Sequence, residues 1–432
     1  MDDQRSAERV LSSHPDRAAA AAEIHTRPPP ELGAPVSLSH LALISGKDGA
    51  DADRALLGEL CRAYSALPPE PGATLHVAQL GQIELRWERH TEFSTYIFVR
   101  ERPFGEPFAE PAVGQLGPRW LERLPGELVA ANHLVVLPDD VPKPDREQLS
   151  RWFEGHHLLS GRVAGEGVQV WTSLRVHTDG FGRFVVKNAG YDRARLGRLV
   201  QRLLELDTYR LMALLGLTRA RRLGGALGEM EQRLLQLTVA MTDADDAQSE
   251  RRLLDELSDL AAEHARAAAD SAYRFGATRA YAELVGERLA RLRLERNDDM
   301  EIVSSFLERR FEPAMRTCRA VEGRMEGLGV RLARAADLLR TRVDLALQEQ
   351  NQALLVSMDR RAKLQLRLQQ TVEGLSVAAV SYYIVGLWSY LLELIAPALG
   401  AQAVGFATGL AVPLVVGAVW FGVRRLRARL GH

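Results

Sequence analysis

The C-terminal part of the chain is patterned as one long charged helix that continues into an apolar run. No proline occurs between Arg316 and Ala396, and the nineteen residues at 374–392 carry no charge. At about 1.5 Å per residue, a helix of this length spans about 28 Å, close to the ~30 Å hydrocarbon core of a bilayer. We therefore predict a first transmembrane helix at 374–392, preceded by a long coiled-coil-like helix at 300–373.

A second uncharged run follows and ends in a cluster of arginines. It predicts a second transmembrane helix at 403–423, after a short external loop at 393–402 and before a basic tail at 424–432. Basic residues precede the first run and follow the second, whereas the loop between them contains neither Lys nor Arg. Because basic loops stay on the cytoplasmic side, both termini of this two-span protein are predicted to be cytoplasmic.

The chain before residue 190 carries short strand-like patterns. After a polar segment at 1–35, strands are predicted at 36–44, 74–80, 83–90, 93–99, 133–137, 167–176 and 180–187, with an amphipathic helix at 51–67. The stretch at 83–99 is either two strands joined by a tight turn at 90–92 or one long strand. These elements predict an α+β cytoplasmic domain at 36–190, with an antiparallel or mixed sheet of about five to seven strands.

From Tyr191 the apolar period changes to 3.6, which predicts a mainly helical stalk at 191–299. The first helix is predicted to end near Leu217, since Gly224-Gly225 should break it. Further helices are predicted at 226–241, 249–269 and 280–294. Ser249 is expected to cap the second of them. The long helix should begin near Met300, with Pro313 as a kink or as its true start.

Between Leu347 and Leu375 the long helix carries a 4-3 spacing of apolar residues, interrupted by polar ones such as Asn351 and Gln365. This seam has two interpretations. The helix packs within its own subunit with its polar positions partly solvated. Alternatively, copies of the helix meet around a symmetry axis, where Asn351 and Gln365 form rings that fix the register or line a wet channel.

Composition narrows the functional classes. The net charge of −1 gives no field that would attract nucleic acid. The two cysteines lie in regions of different character, so we expect no disulfide framework, and the N-terminus has no apolar core of signal-peptide length. The phosphate-loop, HExxH, CxxC and Gly-x-Ser-x-Gly patterns are all missing. We therefore predict that the protein is not an enzyme and has no cofactor or dedicated metal site.

Two groups of polar residues are candidate ligand-binding positions in the cytoplasmic domain. His25 and Arg27 precede a run of prolines. Glu88, His90 and Glu92 would share one face of an extended strand, where they could bind a divalent cation or transfer protons. The alternative is a solvated face, or a ladder of ion pairs with neighbouring arginines. The stretch around His177 and Asp179 is predicted to form a turn before Gly180.

The predicted spans contain polar and small residues that a plain anchor does not need. Ser376 and Tyr383 in the first span are candidate axis-lining residues, together with Glu393 at its end. Gly405 and Gly409 form a GxxxG pair in the second span, which allows close helix packing within the hairpin or between subunits.

Several long stretches of the chain resemble a family of bacterial membrane-anchored proteins that share a domain of unknown function, number 3422. They are EIHTRPP (23–29), WERHTEFSTY (87–96), VHTDGFGRF (176–184), RLVQRLLELDTYRLMALLGL (198–217), YRFGATRAYAELV (273–285) and the region 338–383. The resemblance implies a location in the bacterial inner membrane. It implies no chemistry, because the activity of the family is not established.

The predicted plan is also similar, more loosely, to that of the CorA family of divalent-cation channels, which would imply a pentameric funnel. The Gly-Met-Asn signature of that family is absent, since the matching place reads SYLLELIAPALG (389–400). Two functions remain open. One is a homo-oligomeric CorA-like channel or transporter for cations or small solutes. The other is a non-conducting, membrane-anchored scaffold or sensor with a cytoplasmic ligand- or partner-binding domain.

Overall fold

The computed structural model describes residues 13–17, 20–21, 28–46, 49–244, 246–297, 299–399 and 401–430. Contacts within the chain divide it into two compact units. The first unit comprises Met1–Val239 and Glu256–Ala335, and the second comprises Ala240–Asp255 and Ala336–His432. The first unit contains all ten strands of the described residues.

The strands form one mixed sheet. They are β1 Val36–Ile44, β2 Leu75–Leu80, β3 Ile83–Arg89, β4 Phe93–Arg100, β5 Glu127–Leu137, β6 Leu159–Val163, β7 Gln169–Thr172, β8 Gly182–Lys187, β9 Leu294–Glu295 and β10 Glu301–Ile302. Their order is β10-β6-β7-β8-β5-β1-β4-β3-β2, with β9 also paired to β6. β5–β8 and β10–β6 are parallel, and the other pairs are antiparallel. The predicted α+β region with a mixed sheet is therefore confirmed, although β6, β9 and β10 were not predicted.

The helices differ more from expectation than the strands do. They are α1 Gly49–Ala63, α2 Pro118–Leu121, α3 Arg146–Trp152, α4 Arg193–Asp243, α5 Ala247–Leu292, α6 Val303–Leu399 and α7 Ala401–Leu430. α4 is a single helix of 51 residues, so the predicted break at Gly224-Gly225 was wrong. Leu223 and Leu227 are buried on either side of the glycines. Packing of this face outweighs the ~1 kcal/mol that each helical glycine costs.

α5 likewise runs without interruption between the two helices predicted at 249–269 and 280–294. The side chain that caps its start is Asp246 and not Ser249. The Asp246 carboxylate accepts hydrogen bonds from the backbone N–H groups of Gln248 and Ser249, both at 2.8 Å. An aspartate in this position satisfies N–H groups that have no partner within the helix.

α6 is a helix of 97 residues that continues through both Pro313 and Pro397. The loop predicted at 393–402 is therefore largely helical, because α6 reaches Leu399 and α7 begins at Ala401. The connection is mostly apolar, so few of its side chains can bond to unpaired backbone N–H and C=O groups. Remaining helical keeps these groups hydrogen-bonded.

One face of the sheet carries the main hydrophobic core. Alternate residues of β3 and β4, such as Leu85, Trp87 and Phe98, pack against α1, and all three are fully buried. The ring of Trp120 meets the Phe98 ring edge-on at 6.0 Å. A smaller core joins β5, β7 and β8 to α3 around Trp171. Because successive side chains of a strand point to opposite faces, the residues between these core positions lie on the other face of the sheet.

Candidate functional site

The opposite face of the sheet is polar where α4 covers it. In β3, Arg86 and Glu88 alternate with the core residues and are both buried. His40 of β1 and Thr95 of β4 are buried on the same side. A sheet face under a helix is normally apolar, because burial of polar groups costs free energy unless they are hydrogen-bonded. We call this arrangement the polar layer.

The charges of the polar layer are paired. Nε of Arg86 donates to Oε1 of Glu88 at 2.6 Å, and Nη2 of Arg86 donates to the carbonyl oxygen of Pro28. Removing one partner of a buried ion pair leaves an uncompensated charge and costs about 3–5 kcal/mol. Because Glu88 holds Arg86 in place, the hydrogen bond from Arg86 to Pro28 ties the segment that begins at Pro28 to the centre of the sheet.

A small cavity lies between the polar layer and α4. Its volume is about 30 Å³, enough for one or two water molecules or an ion. Its walls are formed by Pro30, His40, Arg86, Glu88, His90, Phe93, Thr95, Ile97, Gln201, Leu204, Glu205, Thr208 and Tyr209. Nδ1 of His40 is buried and has no hydrogen-bond partner among the described residues. Burial lowers the pKa of His40 to about 4, so its ring is neutral at pH 7.

The helices supply a second set of charges at this cavity. Nε of Arg288 in α5 donates to Oε2 of Glu205 in α4 at 2.5 Å. The Arg288 guanidinium also lies 5.8 Å from the centre of the Tyr209 ring, and that ring stacks on Tyr281 at 5.7 Å. Burial raises the pKa of Tyr209 to about 12. Contacts to α5 therefore hold the α4 wall of the cavity in place. On the sheet side, Nδ1 of His40 has no hydrogen-bond partner among the described residues.

A further polar contact joins the sheet to α4 beside the polar layer. Nδ2 of Asn132 donates to Oδ2 of Asp207 at 3.0 Å, and Arg210 binds the other oxygen of Asp207 at 2.5 Å. Asn132 and Asp207 also line a cleft of about 260 Å³ whose rim includes Arg175 and Arg183. Polar residues thus continue along α4 from the small cavity to a larger opening.

The structure brings together only part of the predicted cytoplasmic site. Glu88 and His90 line the small cavity, and the His90 ring stacks on Phe93 at 4.3 Å. The backbone N–H of His90 donates to the carbonyl of Phe93 at 2.8 Å, which closes a tight turn between β3 and β4. The interpretation of one long strand was therefore wrong, and Glu92 does not share a strand face with Glu88.

Glu92 instead binds α5. Its carboxylate accepts hydrogen bonds from the hydroxyl of Tyr273 at 3.1 Å and from Arg274 at 2.8 Å. His25 and Arg27 lie outside the described residues. No sequence pattern pointed to His40, Glu205 or Tyr209, because their side chains meet only when the sheet and α4 pack.

The turn predicted around Asp179 is present. Oδ1 of Asp179 accepts from the backbone N–H of Phe181 at 3.0 Å, and the N–H of Gly180 donates to the carbonyl of His177 at 2.9 Å. Gly180 has a φ of +82°, a backbone angle that residues other than glycine rarely adopt. This turn joins β7 to β8.

The candidate residues of the C-terminal helices are mostly exposed within a single chain. Asn351, Gln365, Ser376 and Tyr383 all lie on exposed positions of α6. The Ser376 hydroxyl donates to the carbonyl of Val372 at 2.8 Å, an ordinary contact of a helical serine. The side chain of Glu393 lies outside the described residues.

Gly405 and Gly409 are exposed. Apart from the adjacent backbone of α7, no described atom lies within 4 Å of the position that a Cβ would take at either of them. Within the described part of the chain nothing packs against the GxxxG pair, so close packing at this pair stays a prediction.

Among the described residues, one helix is long and apolar enough to cross a bilayer. It is the part of α6 that ends at Leu392, and only 11% of its most apolar segment is buried inside the chain.

Comparison with functionally curated proteins and with solved structures gave no match. The likeness to CorA channels therefore stays a prediction. A family model described as "Protein of unknown function (DUF3422)" matches residues 12–430, which is nearly the whole chain. The chain belongs to the DUF3422 family of proteins of unknown function.

Proposed function

We propose that this chain is a membrane-anchored, homo-oligomeric scaffold or sensor, whose α+β region lies in the cytoplasm and holds a small polar ligand in the polar layer. One observation carries the proposal. The second half of α6 exposes an apolar stripe at heptad spacing, and this stripe runs directly into the apolar segment at 374–392.

The stripe consists of residues that are 61% to 75% exposed in a single chain: Leu354, Met358, Leu368, Val372 and Leu375. Their 4-3 spacing keeps them on one side of a helix that supercoils to the left, as in coiled coils. An exposed apolar stripe of this length is unfavourable in water. A second copy of α6 is the occupant that fits it, because the same stripe on both copies is self-complementary.

Membrane anchoring is supported by the apolar part of α6 and by the composition of α7. In α7, the half-buried residues recur every fourth position at Ala411, Val415, Val419 and Val423. Ser381 of α6 is buried as well. A repeat of four is the spacing of a helix face that packs against another helix, which favours a two-span hairpin. The basic residues before the first span and after the second favour termini on the cytoplasmic side.

The ligand site is supported by the unpartnered His40 nitrogen beside the cavity of about 30 Å³. Its size favours an ion or a molecule only slightly larger than water. Because the cavity lies between the sheet and α4, an occupant would change how tightly α4 is held. This arrangement suits a sensor.

A second candidate function is an oligomeric channel or transporter for cations or small solutes. Asn351, Gln365, Ser376 and Tyr383 lie on the same side of α6 as the apolar stripe, since their separations are close to multiples of 3.5 residues. Helices that meet along this stripe would therefore bring the four polar residues, and Glu393 after them, towards a common axis.

Self-association is tested by the mass of the detergent-solubilised protein, measured by light scattering with the detergent subtracted. We expect a multiple of the chain mass of 47.8 kDa. Leu368→Asp should lower the mass, whereas Leu366→Asp should not, because Leu366 is also exposed but lies on another side of the helix. A monomeric wild-type protein, or equal losses from both variants, would contradict the proposal.

Ion flux into liposomes separates the two functions. A channel should conduct, and Asn351→Leu should reduce its flux. An oligomer that leaves the liposomes impermeable would exclude the channel and retain the scaffold or sensor.

A further inference from the structure

Two distant segments bring a carboxylate and two imidazoles together on the far side of α3. Glu154 and His156 follow the end of α3, and His177 lies in the turn between β7 and β8. One ligand atom from each of the three residues lies within 4.8 Å of the others. The cluster lies apart from the polar layer under α4 and shares no residue with it.

The His177 ring is held in place at one nitrogen only. Its side chain is 0% exposed, and its Nε2 lies 3.0 Å from the hydroxyl of Ser173. Nδ1 makes no hydrogen bond in the part of the chain that the structure describes. Instead it faces Oε2 of Glu154 at 3.5 Å. A buried polar atom without a partner is costly, so this nitrogen calls for a group that the chain itself does not provide.

Both oxygens of Glu154 accept hydrogen bonds, and Oε2 also faces His177. Oε1 accepts hydrogen bonds from the Thr178 hydroxyl at 2.7 Å and from Nη2 of Arg183 at 3.0 Å. Oε2 accepts one hydrogen bond, from the backbone N–H of Thr178 at 3.1 Å. The carboxylate is therefore oriented by the loop and keeps lone-pair capacity on the side of Nδ1.

His156 completes the cluster. Its ring meets the His177 ring edge-on, with the two centres 5.0 Å apart. The ring of Phe153, with its centre 5.9 Å from that of His177, adds an apolar wall. Two imidazole nitrogens and one carboxylate oxygen form a donor set that zinc and similar ions prefer, and three protein ligands leave one position for water or a substrate.

We propose that Glu154, His156 and His177 bind a divalent transition-metal ion of the zinc class. In the tautomer that would bind the metal, Nε2–H of His177 donates to the Ser173 hydroxyl and Nδ1 is the ligand, which is how metal-binding histidines are commonly oriented. Donors around a tetrahedral zinc ion are separated by about 3.3 Å, given bonds of about 2.0–2.1 Å. The separation of 3.5 Å between His177 and Glu154 already suits this geometry.

Arg183 lies beside the cluster and binds Glu154. Its Nη2 also binds Oδ2 of Asp179 at 2.8 Å, so two carboxylates share one guanidinium. Asp179, Glu154 and Arg183 together carry a charge of −1 when the histidines are neutral. The local charge therefore favours a bound cation. The alternative to a metal ion is a protonated His177 that pairs with Glu154.

The site is tested with the tag-free full-length protein in detergent, stripped of metal with a chelator and titrated with Co²⁺. We expect one equivalent to bind, with visible absorption bands of a four-coordinate ion that Zn²⁺ abolishes. His156→Ala should raise the dissociation constant at least about tenfold. His157→Ala is the matched control, since His157 is the next residue, is exposed and pairs with Glu301 instead.

Zn²⁺ should also raise the unfolding temperature of the wild type and of His157→Ala, and not that of His156→Ala. Should His156→Ala fail to fold, Glu154→Gln replaces it, because the amide keeps the shape of the side chain. Absence of Co²⁺ bands in the wild-type protein would overturn the proposal. Equal affinities in the two histidine variants would overturn it as well.

Discussion

Two stretches of α6 carry apolar residues at the same spacing and have different surroundings. Between Val303 and Ala335 every apolar seam position is buried: Val303, Leu307, Phe311, Met315, Cys318, Val321, Met325, Leu328, Leu332 and Ala335. Between Leu347 and Leu375 the corresponding positions are exposed. We call these the covered and the uncovered stretch. An apolar seam thus shows that a helix face needs a partner and does not show whether the partner belongs to the same chain.

The partners of the covered stretch are α4 and α5. Glu231 of α4 binds Arg324 at 2.7 Å and Arg331 at 3.1 Å. Nε2 of His264 in α5 lies 2.8 Å from the carbonyl oxygen of Met325. α4 ends at Asp243 and α5 begins at Ala247. Within the described residues, neither helix therefore extends far enough to cover the later part of α6.

The largest expected difference concerns core truncation. Leu328 is 0% exposed, so Leu328→Ala should reduce the free energy of unfolding by about 2–5 kcal/mol. Leu354 is 62% exposed, so Leu354→Ala should change the free energy of unfolding of the first unit by less than about 0.5 kcal/mol. Denaturant unfolding followed by the fluorescence of the buried Trp87 and Trp171 measures both. Similar losses would show that the two stretches are covered alike.

Acidification should also separate the regions. Burial lowers the pKa of His40 and of His133 to about 4, compared with 6.5 for an exposed histidine. Between pH 6.5 and pH 4 the unfolded chain binds protons that the folded chain does not bind. Stability should therefore fall as the pH is lowered through this window, by up to about 3 kcal/mol for each histidine.

The uncovered stretch contains no histidine. We expect the oligomer mass to change little between pH 7 and pH 5.5, while the fluorescence-detected stability of the first unit declines. His40→Gln should make the decline shallower. A pH profile that the substitution leaves unchanged would show that other groups cause it.

Ion pairs give the smallest difference. Glu231→Gln removes two arginine contacts between helices and should cost about 1 kcal/mol, since the side chains are partly exposed. Asp359→Asn removes only the contact to Lys363 one turn away and should cost less than about 0.5 kcal/mol. Thermal unfolding of both variants at low salt measures the contrast, and equal costs would argue against a structural role for Glu231.

The strands were predictable because their patterns are local. The alternation at 36–44 predicted β1 with its observed bounds, and the β3–β4 turn at 90–92 was one of the two alternatives that the sequence left open. Helix continuity was not predictable in the same way. Gly224-Gly225 reads as a break until the packing of its neighbours is known.

The sites were less predictable than the fold. Glu88 and His90 were predicted, but His40 and Glu205 join them only through sheet pairing and the packing of α4. The metal-type cluster needs Glu154 and His177 side by side, although they are 23 positions apart. No fixed spacing marks such a set, because the intervening strands decide which side chains meet.

The late position of β9 and β10 in the chain sets an order of synthesis. β6 pairs with β9 at Leu294–Glu295 and with β10 at Glu301–Ile302, which the ribosome adds only after α4 and α5. The apolar run at 374–392 starts seventy-two residues after Ile302. At roughly 5–20 residues per second, roughly 4–14 s pass between the two events. The sheet can therefore be completed before the apolar run leaves the ribosome. If the run anchors the chain as proposed, the first unit would already be folded when the run reaches a membrane.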